Sequence, residues 1–266
     1  MSLDYDYSIK DVSKALEEIG VSKGDHLFIH SNLGYLGKPE GGLNIRNIGD
    51  SIYQGIKNVV GDQGTICIPA FTYSFCKNEH YNSDSTPPER MGMLTDWFIE
   101  NFKGSFKRSN DPIFSVICCG GMSEQFSKID TNSSFGEGSF FDKFFKASGK
   151  LVNFNMDAGS TFLHYVEKCL NIPYRMDKVF TGVSIEDGIR KNVEWTYFCR
   201  NLSHKYNFPQ FVVWDRAAKE EGIVRTSKLG RGSVIALNTK DVFELFKSQL
   251  DSDPYILTVG SPNYSS

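Results

Sequence analysis

Short apolar runs set between helix-periodic segments constrain what this chain can fold into. In SIKDVSKALEEIG, Ile9, Val12, Ala15, Leu16 and Ile19 recur at helical spacing, with Ser8 placed to cap the segment and Gly20 to end it. DHLFIH then reads as a short buried strand, SNLGYLGKPEGG as a glycine-rich loop, NIRNIGDSIYQGIKNVV as a helix and GTICIPAF as a second buried strand. Helix, strand, loop, helix, strand is the grammar of a sheet with crossover helices. FTYSFCKNEHYNSDSTPPER is a long irregular excursion, expected to run over the surface, and such loops in compact domains are usually functional or mobile. MLTDWFIENF, SFFDKFFKA and TFLHYVEKCL follow as helices, FSVICCGG and KLVNFNM as strands. Past about Ile172 strand and turn signals mix, and WDRAAKEEG and KDVFELFKSQL are the clear helices. No repeat, low-complexity segment or linker divides the chain. A single domain over residues 1–266, with a less regular C-terminal lobe from about residue 172, is expected.

Apolar residues at 40% and charged residues at 23% supply a sizeable core and argue against disorder. The net charge of −3, with no basic run longer than Lys107-Arg108, excludes an extended nucleic-acid footprint. It leaves room for a small phosphate-bearing ligand. Of six cysteines only Cys118 and Cys119 are close, which suits neither a CxxC redox pair nor a zinc knuckle, so no metal is expected. Most lie in apolar runs, where a reduced thiol behaves as a small hydrophobe, in keeping with a reducing compartment. The first residues lack the basic and apolar regions of a signal peptide, and no run approaches the ~20 apolar residues that span a bilayer. The expectation is a cytoplasmic protein, monomeric or homodimeric.

Among the histidines, His26, His80 and His204 read as structural. His30 closes the first strand, where open α/β sheets bind ligands, and the Ser and Gly residues after it can present N–H groups to an anion. In STFLHYVEK, Thr161, His164 and Glu167 share one helix stripe, a hydroxyl, an imidazole and a carboxylate suited to positioning a proton acceptor. Spacing alone fits a capped helix with a surface His–Glu pair slightly better. Arg108, just before the Asn110-Asp111-Pro112 turn, is a candidate grip for phosphate or an ordinary loop arginine. The phosphate-binding GxxxxGK[ST], the dinucleotide GxGxxG, HExxH and GxSxG are all missing.

Five segments in order resemble the aminoglycoside 3-N-acetyltransferase family. They are His30-Ser31-Asn32-Leu33-Gly34-Tyr35-Leu36-Gly37, Pro69-Ala70-Phe71-Thr72, Arg108-Ser109-Asn110-Asp111-Pro112-Ile113-Phe114-Ser115, Ser134-Phe135-Gly136 and Thr161-Phe162-Leu163-His164-Tyr165-Val166-Glu167. The resemblance runs from about residue 8 to residue 182. It implies a three-layer α/β/α sandwich around a mostly parallel sheet, with acetyl-CoA over the strand ends. The implied cofactor contacts are His30, Ser31, Asn32, Leu33, Gly37, Phe71, Thr72, Arg108, Ser109 and Ser115. His164 would be the general base, Glu167 or Asp157 its orienting carboxylate, and Thr72 or backbone N–H groups the oxyanion donors. Direct attack of an amine in a ternary complex is preferred to an acetyl-cysteine, since no cysteine adjoins a histidine or an evident helix start. Asp111 stands where antibiotic-modifying members typically carry His, and long acidic stretches are missing. Both departures point to a nucleotide-linked amino sugar of surface-polysaccharide synthesis as acceptor. An aminoglycoside acceptor and a non-catalytic CoA- or sugar-nucleotide-binding relative are the alternatives.

Overall fold

A computed structural model of the chain describes residues 4–102, 104–186 and 188–264. In chain order the elements are α1 (Ile9–Glu18), β1 (His26–Ser31), α2 (Ile45–Val60), β2 (Thr65–Pro69), β3 (Tyr81–Asn82), α3 (Met93–Asn101), β4 (Lys107–Arg108), β5 (Val116–Gly120) and α4 (Ser123–Ser127). They continue as α5 (Phe140–Lys146), β6 (Lys150–Phe154), α6 (Phe162–Cys169), β7 (Arg175–Glu186), β8 (Ile189–Arg200), α7 (Val212–Glu220), β9 (Arg225–Leu229), β10 (Gly232–Asn238) and α8 (Thr239–Gln249).

Seven strands form the central sheet in the order β4-β5-β2-β1-β6-β10-β9. β1 runs parallel to both β2 and β6, and the flanking pairs on either side are antiparallel. Each central strand is apolar on both faces, and successive residues serve opposite layers. Leu27, Ile29, Ile66, Ile68, Ile117 and Val152 pack toward α1, α2 and α3. Phe28, Cys67, Cys118, Leu151, Ile235 and Leu237 pack toward α5, α6, α7 and α8. The result is a three-layer α/β/α sandwich.

The local signals read in the sequence explain the first helix. Ser8 caps α1, its Oγ accepting from Asp11 N while its own N–H donates to the Asp11 carboxylate at 2.9 Å, a reciprocal cap worth about 1 kcal/mol. Gly49 has a packing reason instead: a Cβ there would lie 2.1 Å from Trp97 Cγ, so the bare helix face lets α3 approach.

Two regions differ from a reading by pattern alone. The excursion after β2 is anchored rather than draped over the surface, because its aromatics Phe75 and Tyr81 are completely buried. The stretch after residue 172 holds a long antiparallel hairpin, β7 with β8, in unbroken register from Arg175↔Arg200 to Glu186↔Ile189. β3 joins β7 to complete a second, three-stranded sheet. β10 returns to the central sheet and pairs with β6.

Candidate active site

The site forms at the carboxyl ends of β1 and β6, neighbours at the middle of the sheet, with His30 opposite Asn153. After β6 the chain reverses through Asn155 at φ 50°, a left-handed conformation that Asn tolerates. The fully buried Asn153 amide donates to the carbonyls of Asp157 (2.6 Å) and Gly159 (2.9 Å) and folds residues 156–160 back over the strand end. From the other side α7 clamps the same turn: Asp215 accepts from Ala158 N at 2.9 Å, and Trp214 Nε1 donates to Ala158 O. The start of α6 is thereby held against the end of β1. A pocket of about 340 Å³ results, lined by His30, Met156, Asp157, Thr161, His164 and Phe211 among others.

His164 and Glu167 face each other as the i, i+3 spacing requires, Nδ1 lying 2.6 Å from Glu167 Oε2. The carboxylate is 1% exposed and fully engaged. Tyr174 O–H donates to Oε1 at 2.8 Å, and Arg175 Nε makes an ion pair with Oε2 at 2.6 Å. Burial pushes the Glu167 pKa up, but His164, Arg175 and the Tyr174 hydroxyl outweigh it and hold the group below the ordinary carboxylate value, so it is ionised. An ionised Glu167 accepts the Nδ1 proton, which leaves Nε2 as the lone-pair nitrogen. Arg175 Nη2 stands 3.4 Å from that Nε2. Burial, followed by the Arg175 charge, lowers the His164 pKa against the opposing pull of Glu167. The imidazole is therefore uncharged at neutral pH, with its lone pair on Nε2. Phe135, from the Ser134-Phe135-Gly136 segment, meets the ring edge-on at 5.7 Å.

His30 contributes Nε2, 3.3 Å from Thr161 Oγ1. Burial, reinforced by the neighbouring His164, drives its pKa down to about 4, so it is a neutral hydrogen-bonding group here. Asp157 lies at the pocket with His164, but its Oδ1 accepts from Gly159 N at 2.8 Å in a local turn. Among the described residues it makes no hydrogen bond to the imidazole, and Glu167 holds the orienting position.

The remaining candidates gather in a second cluster that satisfies itself. Arg108 donates through Nε to Ser115 Oγ, through Nη1 to Thr86 O and through Nη2 to Ala70 O at 2.7 Å. Thr72 is 1% exposed and gives its hydroxyl proton to Pro112 O at 2.8 Å. Ser109 Oγ accepts from Val116 N, and Ser115 Oγ donates to Ala70 O. Phe71 is buried against Phe114. In this arrangement the Thr72 proton and three of the five Arg108 N–H donors are committed within the protein. Aromatic contacts through Phe114 and Phe135 link the cluster to His164. Asp111, 1% exposed, accepts from the N–H groups of Ile113 and Phe114, and burial raises its pKa to about 6. In the first loop Leu33 is buried in the core, Asn32 is exposed, Ser31 is half-buried, and Gly37 (φ +91°) makes room for Asp6.

Tyr174, Arg175 and Asn153 belong to the site and carry no local sequence signal. The one available clue is general: a glutamate buried on the core side of a helix needs a cation. None of the six cysteines lines the pocket. Among the described residues no cluster of three or more His, Cys, Asp or Glu side chains is placed to hold a metal, and no helix is long and apolar enough to cross a membrane.

Known proteins with this fold share the arrangement of elements. AAC-IIIb, solved as a binary complex with CoASH, aligns with a TM-score of 0.77 at 17% identity, over 96% of this chain and 100% of that one. Aminoglycoside acetyltransferase AAC(3)-IVa, as apoenzyme, aligns at 0.75 and 20% identity, over 97% of this chain and 93% of that one. An aminoglycoside N(3)-acetyltransferase III of Salmonella sp is 25% identical over 183 residues, 62% of this chain, and a protein of that name from Enterobacter cloacae is 24% identical over the same length. The matched stretch spans 61% of the length of these curated relatives. The family model for aminoglycoside 3-N-acetyltransferase matches residues 28–251, from the first strand of the site to the end of the last helix. The chain belongs to the aminoglycoside 3-N-acetyltransferase family.

Proposed function

We propose that this chain transfers an acetyl group from acetyl-CoA to an amine of an aminoglycoside, with His164 as general base. The observation that carries the reading is the His164–Glu167 pair beside the pocket: Nδ1 is tied to a buried, ionised carboxylate, and Nε2 holds the lone pair, which accepts from Arg175 Nη2 at 3.4 Å until an amine takes that place. An amine that attacks a carbonyl must shed a proton, and a neutral, oriented imidazole takes it as the C–N bond forms. Acetyl-CoA supplies the acyl group as an activated thioester. The pocket, about 340 Å³, has the size of the smaller ligand sites and accommodates the reacting end of such a molecule. Thr161, with His30 Nε2 beside its oxygen, takes over the oxyanion-donor role expected of Thr72, whose proton goes to Pro112.

The choice of acceptor follows the relatives. Those described above carry the aminoglycoside name, and AAC(3)-IVa has been solved with a gentamicin and with apramycin. They favour this acceptor over the nucleotide-linked amino sugar suggested by Asp111 and the scarcity of acidic runs. That second reading keeps one specific support, since Asp157 is the sole carboxylate among the residues lining the pocket.

The test is thiol release from acetyl-CoA against panels of aminoglycosides and nucleotide-linked amino sugars. Release with aminoglycosides alone is expected. Release only with the sugar nucleotides moves the acceptor to the second reading, and no CoA binding at all refutes both. His164→Ala should lower kcat ~10²–10⁴-fold while CoA affinity is kept. Unchanged turnover removes His164 from its role.

A further inference from the structure

The outer edge of the second sheet is left unpaired over part of its length. β8 is the outer strand of the order β3-β7-β8, and its register with β7 has no bulge from Ile189 to Arg200. Near its far end the edge is already occupied: Thr196 N donates to Asn132 O at 2.8 Å, and Ser134 N donates to Thr196 O at 3.1 Å. Thr196 thus turns its backbone groups away from β7. In an antiparallel ladder this alternates, so Arg190, Asn192 and Glu194 turn theirs outward as well. All three residues are exposed or half-exposed, and among the described residues their outward N–H and C=O groups have no hydrogen-bond partner. Neither Arg190 nor Glu194 has an ion-pair partner among the described residues, and neither side chain makes a hydrogen bond there.

An unpaired, unbulged edge is a template for another strand, and proteins commonly blunt it with charges that repel a second copy. Here the charges do the opposite. The free stretch between Ile189 and Trp195 has Asn192 at its centre. Antiparallel pairing of two copies with Asn192 opposite Asn192 sets Arg190 directly across from Glu194 of the second copy, and the two-fold axis repeats the pair. The parity is right, because every residue in these pairs has its backbone groups pointing outward. Shifting the centre to Lys191 or Val193 keeps the parity but loses both Arg–Glu pairs and runs one strand into the turn or into Ser133. Only one register satisfies backbone and charge together.

We propose that the β8 edge is a homodimer interface in which two copies join their hairpin sheets antiparallel about Asn192. The contact is a short ladder with two ion pairs, well below the area of a permanent dimer, so the dissociation constant is expected on the order of micromolar or weaker. Sedimentation velocity of the full chain over a wide concentration range reads it directly. The wild type should show a reversible monomer–dimer equilibrium. Glu194→Arg sets Arg opposite Arg twice and should weaken association about tenfold or more, as should Arg190→Glu. The double exchange restores opposite charges and should recover dimerisation, a result a merely unfolded variant cannot produce. A chain that is monomeric throughout, a dimer indifferent to Glu194→Arg, or a double exchange that fails to recover association each overturns the proposal.

Discussion

Replacing Glu167 by Gln is the sharpest perturbation of the proposed base, since it keeps shape and changes one charge. In the native site the carboxylate accepts from His164 Nδ1 and from Tyr174 O–H, and it is ion-paired with Arg175. An amide can still accept from Tyr174, but its NH₂ group then faces Nδ1 and asks that nitrogen to accept. The imidazole answers by moving its proton to Nε2, the nitrogen that should take the proton from the amine. The base is then lost without the histidine being touched, so kcat should fall by the full general-base contribution, ~10²–10⁴-fold. Removing one partner of a buried ion pair costs about 3–5 kcal/mol. Arg175 keeps its bond from Nη1 to Phe198 O, which limits the loss. Against a domain stability of about 5–15 kcal/mol the variant remains folded, with a lowered melting temperature. The pH profile carries a separate signature. Glu167 raises the His164 pKa, so its loss lowers that pKa further, and any residual activity should have its acid limb at lower pH than the wild type, whose limb lies below 6.5. Steady-state kinetics from about pH 5 to about pH 9, with thermal melts and CoA binding as controls, decide the matter. A folded variant turning over within a few-fold of the wild type would refute the reasoning.

Two further outcomes are expected. Asp111, held protonated up to about pH 6 by burial, binds more protons folded than unfolded between its ordinary 3.8 and that value, so its charge costs stability above about pH 6 and not below about pH 4. Asp111→Asn should therefore gain up to about 2–3 kcal/mol in urea unfolding at about pH 8 and nothing at about pH 4, and a pH-independent effect would contradict this origin. Arg108→Ala should lower stability by about 2–3 kcal/mol, through loss of charged hydrogen bonds to Ala70, Thr86 and Ser115, with KM for acetyl-CoA unchanged. A large rise in KM without loss of stability would make Arg108 a cofactor contact after all.

The legible part of the fold was the part with local causes. Ser8 declares the first helix cap, and the apolar runs around Phe28, Cys67 and Leu151 declare strands buried on both faces. The hairpin of β7 and β8 was harder, because its residues are mostly exposed or half-exposed and the apolar alternation is weak. An Asp-Gly dipeptide at 187–188, between two runs of strand formers, was the available signal. In the site, the stripe from Thr161 to Glu167 is visible because one helix holds all of it. Tyr174 and Arg175 become its partners only when the chain turns back after α6. Thr72, Arg108 and Ser109 show the converse difficulty: their motif is plain, yet their partners are carbonyls and N–H groups of Ala70, Pro112 and Val116, which have no letter in a sequence.

The Arg175 side chain near Nε2 bears on the cycle after the acetyl group has moved. An imidazolium at His164 would sit beside a guanidinium 3.4 Å away, in a place that already disfavours positive charge. The captured proton is therefore held loosely, and 18% exposure of the imidazole side chain gives it a way out to solvent. With His164 as the proposed base, resetting the resting enzyme needs no help from solution, and added exogenous buffer is expected to leave turnover unchanged.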